Sequence, residues 1–199
     1  MKKLICAVAP LLAVAPLFAA TLTQAERDKA IAELTASRQQ FLDSVAGLTD
    51  AQWNFKPDEK AWSVFECAEH IALAEDLIFG GISQWVKAPA VPDKKSVVTD
   101  DFILTAVQDR SHKFQAPEPL QPKHQFSTPQ EVIEHFKASR EHTIAYIRDT
   151  QDDMRAHFFD HPVLKTMDTY QWVLLLSSHS QRHTAQLNEV KANPNFPKP

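Results

Sequence analysis

Glycine occurs only three times in this chain of 199 residues, as Gly47, Gly80 and Gly81. That scarcity constrains the fold more than any other feature, because turns with positive φ and phosphate-cradling loops both depend on glycine. The sequence contains no GxGxxG or P-loop string. Long runs containing Ala, Leu, Glu and Gln, which are good helix formers, point instead to a mostly helical chain. With 44% hydrophobic residues, the chain can bury the core of one ordinary domain.

Four segments carry helical periodicity. The first, about 23–48, opens with Thr23 and Glu26 in capping-box spacing, and Ile31, Leu34, Phe41, Leu42 and Val45 recur at helical intervals. The stretch "LTDAQWNFKPDEKAW" then reads as a loop that packs two Trp and a Phe back onto the bundle. Ser63 and Glu66 form a second capping box and open a helix to about Val86. After the Pro-containing break "KAPAVPDKKS", residues 99–113 predict a short extra helix capped by Thr99 or Asp100, ended by the Pro-rich "QAPEPLQPKHQF". The third main helix opens at "STPQEV", with Thr128 as N-cap and Pro129 in the first turn, and runs to about Asp149. An irregular stretch through "HFFDHPVLK" leads to the fourth, from Asp168 or Thr169 to about Ala192. The expected fold is all-α, a four-helix bundle with a long connection between helices two and three. At about forty residues, that connection can cross the whole bundle, so helices two and three need not be antiparallel.

The first twenty residues belong to another class. A basic "MKK" followed by the uncharged, apolar "LICAVAPLLAVAPLFAA" has the layout of a secretory signal peptide, with Ala20 and Ala25 as candidate last residues. Pro10 and Pro16 interrupt the apolar run, which argues against an uncleaved membrane anchor. The expected division is therefore a leader at 1–20 and one helical domain at 21–199, periplasmic or secreted. Loss of the leader removes two lysines and no acid, moving the net charge from −4 to −6. A mildly acidic chain without a basic block is a poor partner for nucleic acid or anionic membrane. Cys6 leaves with the leader, and Cys67 remains alone, so an internal disulfide is excluded.

His179 and His183 stand four apart in "LLLSSHSQRHTAQLNEV", so a helix points them the same way. Nine histidines make such a pair cheap: composition alone predicts roughly 0.4 of them. His157 and His161 share the spacing, but they fall in the irregular stretch directly before Pro162, where no regular helix presents both. His179 and His183 differ because they lie within the apolar stripe of Trp172, Leu175, Leu176, Leu187 and Val190. Burying two imidazoles requires partners, either a metal ion or buried acids and hydroxyls.

A Zn-type site needs three or four protein ligands, and His70 is the best third, flanked at helical spacing by Cys67, Leu73, Ala74 and Leu77. At about 1.5 Å per residue, His70 sits roughly 10 Å from the start of its helix. In an antiparallel arrangement of helices two and four, His183 is about 12 Å from the same end, and in a parallel one the levels miss by about 5–10 Å. His135 and His142 fall near a polar boundary, and His112 and His124 fall in the variable connection, so none of these four is expected to bind metal.

The stretches "LTDAQWNFKPDEKAWSVFECAEHIALAE" and "HPVLKTMDTYQWVLLLSSHSQRHTAQLNEVK" resemble the DinB-like (DinB/YfiT-like) superfamily of metalloenzymes. The resemblance covers most of the chain after the leader. It is strongest at Trp62–Ser63, Glu66, Ala68–Ile71, His179, Arg182–His183 and Gln186. It implies a four-helix bundle with helices two and three parallel, and a metal site made of His70, His179 and His183. The superfamily includes transferases and isomerases that use cytoplasmic low-molecular-weight thiols, a setting from which the export signal departs.

Three neutral imidazoles leave a divalent metal (Zn, Ni or Fe) its full charge and an open position, the layout of catalytic sites. Such a metal can lower the pKa of bound water to about 7 or hold a thiolate. The expectation is an exported metal-dependent enzyme acting on a small molecule by hydrolysis or group transfer. The alternatives are a non-catalytic bundle that binds metal or an apolar ligand, and a bundle without metal. Glu66 is expected to cap its helix, Cys67 to pack as a buried thiol and Arg182 to be solvated, whereas Gln186 either lines the site or bonds a neighbouring helix. Helix one can carry a homodimer face.

Overall fold

The computed structural model describes residues 21–199. Residues 1–20, where a leader is expected, lie outside the described residues. The elements are α1 (Gln24–Val45), α2 (Asp50–Asn54), α3 (Val64–Trp85), α4 (Asp100–Ala106), α5 (Pro129–Asp149), β1 (Phe158–His161), β2 (Lys165–Asp168) and α6 (Thr169–Lys191), with a 3-10 turn at Glu118–Leu120. The four long helices start where their caps predict. Thr23 and Ser63 each accept from the backbone N–H three residues on, while Glu26 and Glu66 reach back to the cap. Thr128 caps α5, and Asp168 with Gln171 forms a further capping box on α6. After α1, Gly47 turns the chain at φ +70°, a conformation that any other L-residue adopts with strain.

The four long helices form a ring in which α1 and α3 each pack between α5 and α6. Their directions follow from paired contacts. Tyr170, Ser177 and Asn188 of α6 bond Glu26, Glu33 and Ser44 of α1, an ascending series at one constant offset, so α1 and α6 are parallel. Asp76 of α3 bonds His135 and Ser139 of α5, and Phe79 meets His142 and Tyr146 one turn on, so α3 and α5 are also parallel. Trp85 packs on Trp172 at one end of α3 while His70 meets His183 at the other, so α3 and α6 are antiparallel. This is the all-α bundle with a long crossover, the second and third main helices running parallel and the second and fourth antiparallel. Among the described residues no helix is long and apolar enough to cross a membrane.

Two apolar clusters fill the bundle, one around Leu34, Ile78, Ile147 and Leu174 and one around Phe41, Ile71, Phe136 and Leu187. Between them lies a polar layer to which all four helices contribute. Arg140 and Glu75, both fully buried, pair through Nε–Oε2 at 2.9 Å and Nη2–Oε1 at 2.5 Å. The remaining guanidinium donors reach the Leu34 carbonyl, Ser37 Oγ and Ser180 Oγ at 2.6–2.8 Å. A buried charge pair is tolerated when its hydrogen bonds are filled this completely.

Three segments differ from the sequence expectation. The presumed loop after α1 contains α2, which has a Thr49–Gln52 capping box and brings Trp53 into the core. The extra helix is shorter than 99–113. It ends at Ala106, after which Asp109 accepts from the Ser111 N–H in a turn and Arg182 binds the Val107 and Asp109 carbonyls. The stretch expected to be irregular forms a hairpin, with Phe158 opposite Asp168 and His161 opposite Lys165. Tertiary contacts select it: Phe159 stacks on Trp85 at 4.1 Å, and its carbonyl accepts from Trp172 Nε1.

Candidate metal centre

His70 lies two turns into α3, and His179 and His183 lie one turn apart on α6, so the antiparallel α3–α6 seam brings all three to one level. His70 Nε2 is 3.2 Å from His179 Nε2 and 3.1 Å from His183 Nε2. Nitrogens around a tetrahedral zinc at about 2.05 Å stand roughly 3.3 Å apart, so this spacing suits one ion. Among the described residues, these three form the one group of His, Cys, Asp or Glu whose donor atoms converge in this way.

The other ring nitrogens fix which atom carries the proton. His70 Nδ1 lies 2.7 Å from the Leu120 carbonyl, which only accepts, so His70 is protonated on Nδ1. His183 Nδ1 lies 2.9 Å from Gln186 Oε1 and likewise donates. In the neutral rings, Nε2 of both then carries a lone pair. Two lone pairs facing each other at 3.1 Å repel unless a cation lies between them. Burial holds His179 and His183 well below the usual imidazole range, reinforced by the neighbouring imidazoles and Arg182, and burial also lowers His70. The rings are therefore neutral at neutral pH, as metal binding requires.

The segment before α3 and the crossover both close around this site. Trp62 packs 4.9 Å from His70 and 6.1 Å from His183. Arg182, which the sequence suggested was solvated, is instead buried. It donates to the carbonyls of Val107, Asp109 and His112 and holds the outgoing crossover on α6. Glu69, next to His70, is fully buried and accepts from three successive N–H groups, Lys123, His124 and Gln125, which holds the returning part of the crossover on α3. Sequence reasoning missed both anchors. The signal for Glu69 was a carboxylate among the apolar positions at the start of α3.

Neighbouring candidates take other roles. Glu66 caps α3 and pairs with Lys56 at 2.8 Å. Cys67 is buried in the core cluster with Phe41 and Trp53, and its thiol is pushed up strongly by burial. Gln186 touches the site through His183. His135 binds Asp76, His142 packs on Phe79, and His112 and His124 lie exposed on the crossover. His161 Nδ1 accepts from Val163 and Leu164 N–H in the hairpin turn, and neither His157 nor His161 belongs to the group of converging donor atoms.

Comparison with known proteins agrees with this architecture. The uncharacterized protein YuaE of Bacillus subtilis (strain 168) is 25% identical over 155 residues, covering 78% of this chain and 93% of that protein. The solved structure of YfiT from Bacillus subtilis is described as a probable metal-dependent hydrolase with an unusual four-helix bundle topology. It superposes with a TM-score of 0.57 at 16% identity over 89% of this chain and 92% of that one, a likeness of fold. The family model of the DinB superfamily matches residues 33–187, most of the chain, and the protein belongs to that superfamily.

Proposed function

We propose that this protein is a metal-dependent enzyme that uses His70, His179 and His183 to hold one divalent ion (Zn, Ni or Fe) and acts on a small molecule by hydrolysis or group transfer. The observation that carries this reading is the set of converging Nε2 atoms, with the His70 and His183 lone pairs left free by hydrogen bonds on the opposite nitrogens. A divalent ion there would supply a Lewis acid with at least one position free for water or substrate. The chain's own residues do the rest. Leu120 and Gln186 orient two of the rings, Trp62 shields them, and Cys67, packed into the core, would not compete for the ion.

The leader-like residues 1–20 support action in the periplasm or outside the cell, and the acidic charge supports a small molecule rather than nucleic acid as substrate. The exported setting favours hydrolysis over transfer to a cytoplasmic thiol. The test is a panel of ester, amide and lactone substrates, assayed with metal-loaded protein, chelator-stripped protein and His179→Ala. Turnover by the loaded parent alone supports the reading. Turnover that persists in the stripped protein contradicts metal dependence, whereas a loaded parent inert on the whole panel favours the alternative of a non-catalytic metal-binding bundle.

A further inference from the structure

Arg110 lies on the crossover, outside the group of residues that converge on the metal centre, yet its side chain reaches α6. Nε and Nη2 bind the two carboxylate oxygens of Glu189 at 2.5 and 2.7 Å. Nη1 donates to Gln186 Oε1 at 3.3 Å, the same oxygen that accepts from His183 Nδ1. An arginine has donors and no acceptor, so it can face only the oxygen of the Gln186 amide. A glutamine amide by itself can turn either way, presenting NH2 or oxygen to a histidine.

We propose that Arg110 is a positioning residue for the metal centre: by fixing the orientation of the Gln186 amide, it selects the His183 tautomer that leaves Nε2 free. The inference rests on the three-histidine reading above. Without Arg110, Gln186 is free to flip and donate to His183 Nδ1. The ring proton then moves to Nε2, and the lone pair that faces His70 is lost. Glu189 holds Arg110 in place, so the relay runs from Glu189 through Arg110 and Gln186 to His183. It makes metal affinity depend on a residue of the crossover.

The experiment uses Zn2+ titration of the metal-free protein together with 15N NMR of its imidazole nitrogens. Arg110→Ala should weaken zinc binding about tenfold, the lower end of what removing an outer partner of a metal-binding histidine costs. In Gln186→Leu, adding Arg110→Ala should cost nothing further, because the relay is already cut. The decisive variant is Arg110→Ala with Gln186→Glu. A carboxylate only accepts, so affinity should return to within about threefold of the parent without any arginine. In the metal-free protein, the 15N spectrum should show the His183 proton on Nδ1 in the parent and on Nε2 in Arg110→Ala. Parent-like affinity in Arg110→Ala, or no recovery with Gln186→Glu, overturns the inference. A parent that binds no zinc contradicts the three-histidine reading, while the tautomer measurement still decides the role of Arg110.

Discussion

At the scale of single residues, the chemistry of the centre is set by which nitrogen of each ring is occupied. His70 and His183 each spend Nδ1–H on a fixed acceptor, Leu120 O and Gln186 Oε1, so their Nε2 lone pairs are left free. Burial of the three rings, against which these hydrogen bonds work, makes the metal-free protein sensitive to pH. In the unfolded chain these imidazoles take up protons near about 6.5, whereas in the folded protein burial holds all three lower. Below about pH 6.5 the unfolded state therefore binds more protons, and stability falls with decreasing pH by up to roughly 1.4 kcal/mol per pH unit for each group. Above that pH the stability is fully retained. Thermal melts of chelator-treated protein from pH 7.5 to 5 should show the loss, and His70→Ala should show a smaller one. A flat profile would mean that the rings are not desolvated in the folded state.

At the scale of elements, adjacent glycines on α3 should behave oppositely. A Cβ on Gly80 meets nothing within 4 Å, so Gly80→Ala should stabilise by up to about 1 kcal/mol through helix propensity. A Cβ on Gly81 would lie 2.6 Å from Trp85 Cζ2, and that indole is locked between Phe159 and Trp172. Gly81→Ala should therefore destabilise by about 1–2 kcal/mol despite the same propensity gain. Denaturant melts of the two variants check the pair, and equal shifts would show that the Trp85 stack yields freely. These helices were legible in the chain because caps and apolar periodicity are local signals: Thr23, Ser63 and Thr128 mark starts that the structure keeps. The hairpin was not legible. Its strands span four residues each, and Trp85, which stacks on Phe159, lies on a helix far away in sequence. Arg182 was misjudged for a related reason, since its three carbonyl acceptors belong to a segment about seventy residues away in sequence.

At the scale of the whole molecule, the polar layer and the crossover determine that α3 and α6 meet in the register the histidines need. Glu75 and Arg140 touch or bond all four long helices, so the layer constrains their relative heights. Sequence alone showed the level of His70 and His183 under an antiparallel topology, but it did not reveal this layer. A charged residue at Glu75 between Ile71 and Ile78, and at Arg140 between Phe136 and Ile144, was the available signal. Arg140→Met should cost about 3–5 kcal/mol by stranding Glu75, whereas Arg140→Met with Glu75→Leu should recover most of that loss. Chemical denaturation of the single and double variants tests this, and a double variant as unstable as the single would contradict it.

The most direct measurement of the central claim is the metal content of the protein, purified without chelators or a histidine tag, beside His70→Ala and His183→Ala. About one equivalent of divalent metal is expected in the parent and almost none in either variant, with both variants folded. A parent that is empty and cannot be reloaded, or variants that keep their metal, would contradict that claim.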